Sequence, residues 1–270
     1  MKLAIRIWKE TFETLLKNPI ILLPFLIVGL FDIVLLILIY LAPQPPFSAL
    51  LAPPIRAFWG EQFLHYPVNL FLIPRLFNYG HIISTAVIGV LMTGLAIGML
   101  KDAREGVRPG ILFNLIKSIK AYLSLVVIWA VLFGLVTLIF KGLPFALQLK
   151  QRTALQVALY ASFLISIFIE VIFIYAMPAV MIEKKRAWAA IKRSITFAKG
   201  IFLPTLFLVA IPMLIYIPMI ALRGKLPVLM NKLFPEVVLI SLGLGIIVSV
   251  ITDCLITCST AILFLNRRRG

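Results

Sequence analysis

The sequence predicts an all-α membrane protein, a polytopic bundle of six transmembrane helices arranged as three hairpins. Hydrophobic residues make up 62% of the 270-residue chain, and the mean hydropathy is +1.10, whereas soluble domains are roughly 45–50% apolar. Charged residues make up only 13% and lie almost entirely between long apolar runs. Runs of about 20 residues, enough to cross a hydrocarbon core about 30 Å thick, fall at 19–42, 81–100, 119–140, 153–181, 201–222 and 236–265.

The basic residues predict the orientation of this bundle. Lys and Arg near the ends of transmembrane helices are retained in the cytoplasm. Of the 26 Lys and Arg, 18 fall in the N-terminal segment, the second connection, the fourth connection and the C-terminal tail, and eight fall in the other three connections. We therefore expect a multi-pass protein of the cell membrane with both termini in the cytoplasm.

The segments that precede spans one, three and five predict amphipathic elbow helices on the cytoplasmic membrane surface. Residues 2–17, 110–120 and 187–199 mix apolar and basic residues at a helical period. Trp8 and Trp188 are expected at headgroup level, where an indole ring is buried and its N–H stays hydrated. The basic residues assigned to the same interface are Lys184, Lys185, Arg186, Arg267, Arg268 and Arg269.

The segment 43–80 is predicted to be an external insert at the outer interface. It holds seven of the 17 prolines and many aromatic residues, so it cannot form one continuous helix. We expect short helices that lie in the outer interface or cap a cavity.

Self-comparison predicts that the single membrane domain, 1–270, contains three parallel repeat units of approximately 1–100, 101–185 and 186–270. An offset of 180 aligns Trp8 with Trp188 and also matches a proline one turn into spans one and five. An offset of 83 aligns Glu170 with Asp253, and it aligns the basic triplet at 184–186 with that at 267–269. Each unit is then an elbow followed by a hairpin.

Three acids lie within the predicted spans, namely Asp32, Glu170 and Asp253. A carboxylate at the centre of a membrane costs about 2.5–3.5 kcal/mol even on a lenient scale, and it is by default a candidate for function. Small and polar residues recur every fourth position beside the acids of spans four and six, which indicates faces turned to protein or to an aqueous cavity. The candidate polar site consists of Asp32, Glu170, Asp253, Ser166, Ser249 and Thr257.

Two interpretations of these acids stay open. In the first, they form a proton or cation site or the polar lining of a substrate path. In the second, they are protonated and hold the bundle together through hydrogen bonds to neighbouring hydroxyls. His81, at the outer edge of span two, is assigned to the interface. A continuous cavity that reaches the acids would favour transport, whereas closely packed stripes would favour a structural role.

Composition and motifs argue against several other functions. No glycine-rich phosphate loop, zinc-protease motif or nucleophile elbow is present in the sequence, so we expect no enzyme activity, no cofactor and no metal site. The net charge of +16 comes without a nucleic-acid-binding motif. Anionic lipid headgroups are its expected partner.

The stretch from Pro178 to Gly200 contains Glu183, a basic cluster, Ala190 and Ser194 between two spans. It resembles a signature of uncharacterised six-span membrane families related to the membrane domain of some glycerophosphoryl diester phosphodiesterases. No phosphodiesterase domain accompanies it, so the resemblance implies a topology and no catalytic activity.

The leading hypothesis is a non-enzymatic membrane protein that is transporter-like or an accessory component of a membrane complex, with a possible protein partner in the membrane. Lys17-Asn18-Pro19, entering span one, also resembles the start of an ABC-2 type permease. The alternative hypothesis is therefore a permease subunit that works with a separate cytoplasmic ATPase.

Overall fold

The computed structural model describes residues 2–146, 152–232 and 234–269, and within these ranges every regular element is a helix. Six helices in this part of the chain are long and apolar enough to cross a membrane, as the sequence predicted. These spans are Pro19–Leu41, Val68–Arg104, Ile111–Gly142, Val157–Glu183, Phe202–Leu222 and Val237–Arg268. The chain is therefore an integral membrane protein with an all-α polytopic fold.

Twelve α-helices are described in chain order: α1 (Lys2–Lys17), α2 (Leu23–Leu41), α3 (Phe47–Trp59), α4 (Val68–Ser84), α5 (Val90–Arg104), α6 (Ile111–Ala146), α7 (Arg152–Phe173), α8 (Ala176–Glu183), α9 (Ala187–Gly200), α10 (Phe202–Leu214), α11 (Tyr216–Lys232) and α12 (Val237–Arg269). Short 3₁₀ turns occupy Pro19–Leu22 and Glu61–Leu64, and a π turn occupies Thr85–Gly89.

The second span begins earlier than predicted. Helix α4 starts at Val68 and continues through the π turn into α5, so 68–80, which the sequence assigned to the external insert, is helical. Pro74 lies inside α4, as helices in membranes tolerate. The continuous run of 37 residues is about 55 Å long at 1.5 Å per residue, longer than a hydrocarbon core of about 30 Å. The remainder of the insert forms short helices, as expected.

The three predicted elbows do not have one common structure. Residues 2–17 and 187–200 form the separate helices α1 and α9. Residues 110–120, in contrast, include the first turns of α6, which runs on without a break. No Gly or Pro occurs between 111 and 133 to end the helix, so the expected bend is absent there.

The structure divides into two compact units. The first unit comprises 1–25, 89–214 and 253–270, and the second unit comprises 26–88 and 215–252. The first unit contains all four segments that carry the 18 predicted cytoplasmic Lys and Arg. The second unit contains the predicted external insert.

Helices α5 and α6 of the first unit pack closely because glycines lie at their contact. A Cβ on Gly98 would lie 2.7 Å from Asn114 Oδ1 and 3.0 Å from Asn114 Cγ. The Asn114 amide donates hydrogen bonds to Asp102 Oδ2 at 2.5 Å and to the Gly110 carbonyl at 2.9 Å. Ser118 Oγ adds a hydrogen bond to the Leu91 carbonyl at 2.7 Å. These bonds hold Asn114 in the space that Gly98 leaves open.

A second polar tie in the first unit lies at the break between α7 and α8. Ser194 Oγ, on α9, donates to the Ile172 carbonyl at 2.7 Å and accepts from the Tyr175 backbone N–H at 3.2 Å. The fully buried Tyr175 side chain hydrogen-bonds Thr205 Oγ1 at 2.5 Å. Buried Ser194 thus satisfies backbone groups that the break would leave unpaired, which gives this residue of the Pro178–Gly200 stretch a structural role.

The predicted cytoplasmic segments meet within the first unit. Glu10 of the N-terminal segment forms an ion pair with Arg104 of the second connection and a hydrogen bond with Asn266 near the C-terminus. Arg268 donates to the Ile182 carbonyl, at the end of α8, at 3.4 Å. The N-terminal segment, the second connection, the C-terminal tail and the end of α8 therefore contact one another within the first unit.

The second unit is held together by an apolar cluster from α2, α4, α11 and α12. Its buried residues are Leu36, Leu70, Ile73, Phe77, Leu226, Val238, Leu242 and Ile246. A smaller cluster joins α3 and the 3₁₀ turn to α2 and α4. The apolar side chains of these two clusters thus pack around α4 and the N-terminal part of α12.

Helix α2 shows how each span separates its two faces. Phe25, Gly29, Asp32 and Leu36 are buried at a spacing of three to four residues. The adjacent face exposes Leu26, Leu30, Ile33 and Ile37. Since this exposed face is apolar in a helix long enough to cross a membrane, we expect it to face lipid acyl chains.

Replacing Gly98 by Ala is expected to destabilise the protein by about 1–3 kcal/mol, the usual cost of overpacking, because Asn114 is fixed by hydrogen bonds. Gly134→Ala on α6 is the matched control, since a Cβ there meets nothing within 4 Å, and Ala favours a helix by up to about 1 kcal/mol. Thermal unfolding in detergent should show a lower Tm for Gly98→Ala only. Equal Tm values for Gly98→Ala and the wild type would contradict the packing described.

Candidate functional site

The second unit contains a cavity of about 560 Å³ between α2, α4, α11 and α12, which we call the Asp32 cavity. Its apolar wall includes Phe77, Leu226, Leu242 and Ile246. Its polar residues are Asp32, Arg75, Asn78, His81, Tyr216, Ser241 and Ser249. A largely apolar cavity with a few converging polar groups is the usual form of a small-molecule site.

An acid–histidine pair lies in the wall of this cavity. Asp32 is only 2% exposed, and its Oδ2 lies 3.1 Å from Nδ1 of His81. The other carboxylate oxygen, Oδ1, is buried without a hydrogen-bond partner among the described residues. A buried carboxylate is costly unless it is protonated or paired. The imidazole is the group positioned to supply or remove that proton.

Two glycines allow this pair to form. A Cβ on Gly29, one turn before Asp32, would lie 2.6 Å from Val250 Cγ2 on α12. A Cβ on Gly80, next to His81, would lie 2.8 Å from Leu35 Cδ2 on α2. Both contacts are closer than a real Cβ permits, so a larger residue at either position would force the facing side chain, Val250 or Leu35, to shift.

The N-terminal half of the small-residue stripe on α12 forms one wall of the cavity. Ser241, Gly245 and Ser249, spaced four residues apart, all line it. Ser241 is 2% exposed, and its hydroxyl is buried without a hydrogen-bond partner in the described structure. The cavity therefore presents unsatisfied hydrogen-bonding atoms from both α2 and α12.

Helix α4 forms the wall through which the cavity meets its surroundings. Arg75, Asn78 and His81 follow each other at three-residue spacing and line the cavity together. Arg75 and Asn78 are exposed, whereas Asp32 is not. The cavity thus carries a cationic group at its exposed side and an acid at its buried side.

The other acids predicted from the sequence lie in the first unit. Glu170 is half-buried and interacts electrostatically with Asp253, which is exposed. Ser166 is buried and donates to the Phe163 carbonyl of its own helix at 2.7 Å, and Thr257 is half-buried. Of the six predicted polar residues, only Asp32 and Ser249 line the Asp32 cavity. The predicted residues therefore fall into two groups.

The residues assigned to the membrane interface lie in the first unit and differ in exposure. Trp188 is 67% exposed, whereas the Trp8 indole N–H is buried and its ring stacks on Phe12. Lys184, Arg186 and Arg267 are exposed, Lys185 pairs with Glu183 at 3.3 Å, and Arg268 bonds a backbone carbonyl. The side chain of Arg269 lies outside the described residues.

A second polar site lies in the first unit, where a groove of about 660 Å³ is lined by parts of α1, α5 and α12. We call it the arginine groove because Arg6, Arg104 and Arg267 all line it. Glu10 and Asn266 are its other polar residues. Glu10 Oε1 accepts a bond from Arg6 Nε at 2.9 Å, and Oε2 accepts bonds from Arg104 and, at 2.8 Å, from Asn266.

These contacts change the acidity of Glu10. Partial burial favours the neutral acid, but hydrogen bonds from Asn266, Arg104 and Arg6, with the charge of Arg104, hold the pKa of Glu10 below its ordinary value of 4.5. The charged form is therefore the one that joins α1 to α5 and α12.

Sequence reasoning missed His81, Gly29 and Gly80. His81 was assigned to the interface because span two was expected to begin at 81, whereas α4 begins at Val68 and carries His81 within the helix. The sequence held no signal that links His81 with Asp32, because the two residues are 49 positions apart. The glycine contacts depend on helix packing and leave no pattern in the sequence.

Comparison with protein-family models, with curated proteins and with solved structures finds no match to this chain. The resemblance of Pro178–Gly200 to the membrane domain of glycerophosphoryl diester phosphodiesterases therefore stays a prediction.

Replacing Glu10 by Gln is expected to lower stability at neutral pH by about 1 kcal/mol, because a partly solvent-screened ion pair is lost. The depressed pKa means that this contribution is present above pH 4.5 and is lost as the pH falls through the folded-state pKa. The Tm difference between wild type and Glu10→Gln, measured in detergent, should therefore shrink below that pH.

Glu13→Gln is the control, since Glu13 is 53% exposed and its nearest cation, Lys9, lies 4.0 Å away. It should leave Tm unchanged at both pH values. A Tm difference for Glu10→Gln that persists unchanged at acidic pH would contradict the proposed charge of Glu10.

Proposed function

We propose that this protein is a transporter of the cell membrane that binds a small polar solute in the Asp32 cavity and exchanges it for a proton held by Asp32 and His81. One observation carries the proposal: a buried carboxylate with one oxygen unpaired lines a cavity, 3.1 Å from a histidine, within helices that cross a membrane. Intramembrane ionisable groups of this kind are typical of substrate and proton pathways.

A purely structural role for Asp32 explains less of this geometry. An acid that fastened the bundle would have its oxygens satisfied by packed partners, because an unsatisfied buried polar atom costs about 1–3 kcal/mol. Instead, Asp32 Oδ1 and the Ser241 hydroxyl are unpaired and both residues line the same cavity. A bound solute or water would satisfy both groups.

The proton can move between the two groups without any other residue. With the proton on Asp32, the carboxyl group and the neutral imidazole are both uncharged, and the cavity accepts no cation. Loss of that proton leaves a carboxylate that binds a positively charged group or a hydrogen-bond donor. Solute and proton thus compete for Asp32, which is the basis of exchange.

The charges favour a zwitterionic solute. A protonated amine fits the Asp32 carboxylate, and the guanidinium of Arg75, at the exposed side, attracts a carboxylate. Arg75 and His81 are about 9 Å apart along α4 at 1.5 Å per residue. Arg75 can reach further into the cavity because its side chain is long and flexible.

The proposed topology places the four basic segments of the first unit in the cytoplasm. These segments meet through Glu10, Arg104, Asn266 and Arg268, and positively charged segments near span ends are retained in the cytoplasm. Both termini are then cytoplasmic.

Purified protein in proteoliposomes that contain a pH-sensitive dye tests the proposal. Zwitterions and primary amines are added outside, and proton movement is followed with and without an imposed pH gradient. At least one zwitterion should drive proton flux in the wild type. Asp32→Asn should abolish that flux, and His81→Gln should reduce it at least about a hundredfold, the lower range for loss of a positioned proton-transfer group.

The second unit supplies a matched control pair. Glu61 and His65 also form an acid–histidine contact, at 3.7 Å, but both side chains are at least half exposed. Glu61→Gln and His65→Gln should leave the flux unchanged. Thermal unfolding in detergent checks that every variant folds. Absence of flux with all zwitterions and amines, or wild-type flux in folded Asp32→Asn, would overturn the proposal.

A further inference from the structure

The arginine groove has an excess of positive charge that its own acid does not neutralise. Three guanidinium groups, those of Arg6, Arg104 and Arg267, line it, and Glu10 is the one acid among the residues that line it. The lining therefore carries two net positive charges. Each arginine comes from a different helix, α1, α5 or α12, so the groove exists only in the folded first unit.

Glu10 and Asn266 hold the arginines in place. Glu10 accepts the Nε–H of Arg6 at 2.9 Å, a contact that leaves the two terminal NH₂ groups of Arg6 for another acceptor. Arg104 Nη2 bonds Glu10 and, at 3.2 Å, Asn266 Oδ1. The side chain of Arg104 is 24% exposed. The acid thus orients two cations without neutralising all three.

The geometry of guanidinium groups favours one class of anion. Arginine forms paired hydrogen bonds with the oxygens of carboxylate and phosphate. A phosphate offers more acceptor oxygens than a carboxylate and therefore suits arginines that arrive from several directions.

Apolar side chains in the same groove indicate the source of that phosphate. Leu3 of α1 is partly exposed in the groove, whereas Ile7 and Leu263 line it but are already buried. A free phosphate ion would gain nothing from Leu3. The acyl chain of a phospholipid would be removed from water by contact with it.

We propose that the arginine groove is a specific binding site for the phosphate group of an anionic phospholipid. This goes beyond the diffuse attraction between a basic protein and anionic lipid, which depends on total charge, because here the affinity depends on particular arginines. It is also independent of the solute site in the second unit.

Native mass spectrometry of the full chain in detergent, titrated with phosphatidylglycerol or with phosphatidylcholine, tests this site. Wild type should retain one phosphatidylglycerol at least about tenfold more tightly than phosphatidylcholine, because each charge-assisted hydrogen bond contributes strongly. The double variant Arg6→Gln/Arg267→Gln should lose that preference. It leaves Arg104 and Asn266, which hold Glu10, in place.

A double variant that removes the same charge elsewhere in the first unit is the control. Lys9→Gln/Lys199→Gln changes two exposed cations that do not line the groove, and it should retain the preference. Inorganic phosphate and glycerol 3-phosphate are added as competitors. They show whether a phosphate group without acyl chains is enough for binding. Neither should displace the lipid at equal concentration.

Three results would overturn the proposal. They are equal retention of the two lipids by wild type, equal loss of preference in the two double variants, and displacement of the lipid by an equal concentration of free phosphate. Thermal unfolding in lipid-free detergent shows whether the groove variant is folded. If it is not, the single variant Arg267→Gln replaces it and should weaken phosphatidylglycerol retention alone.

Discussion

The contact between Asp32 and His81 is the interaction on which the proposed function of the second unit depends. A carboxylate that is 2% exposed in a membrane-crossing helix needs a partner, since water is absent from the hydrocarbon core. The partner can come this close because Gly29 and Gly80 allow α2 to approach α12 and α4. The same close approach leaves the Asp32 cavity beside the pair. The proposed chemistry therefore rests on one buried acid–histidine pair.

The buried polar groups of this chain differ in whether their hydrogen bonds are made. In the first unit, Asp102 and Ser194 are buried with their hydrogen bonds made, so they stabilise a rigid arrangement of helices. In the second unit, Asp32 Oδ1 and Ser241 Oγ are buried without partners and line a cavity. Satisfied polar groups are a means of holding helices together, whereas unsatisfied ones are expected where a ligand binds. Among the described residues, the first unit also has unpaired buried atoms, Trp8 Nε1 and Ser162 Oγ, but neither residue lines the Asp32 cavity or the arginine groove. The shared cavity is therefore what distinguishes Asp32 and Ser241.

The sequence predicted much of the fold because the membrane imposes strong limits on composition and length. The apolar runs predicted the six spans. Asp32 was a candidate for the site because an acid is rare inside such a run. The role of His81 could not be predicted, because polar and proline residues before it hide the start of α4 at Val68. Gly29 and Gly80 matter only for the neighbours that packing gives them. Glu170 and Asp253, like Asp32, are acids inside apolar runs, but this pattern does not show which of the two units each residue belongs to.

Access of water to the Asp32 cavity tests the transport account most directly. In a background where the free cysteines Cys254 and Cys258 are replaced by Ser, Ser249→Cys places a thiol in the cavity wall, and Ser166→Cys is the buried control outside that wall. A membrane-impermeant maleimide is applied to each side of proteoliposomes. Alternating access predicts labelling at 249 from both sides and none at 166, with the preferred side changed by a bound zwitterion. No labelling at 249 from either side of the folded protein would contradict the account.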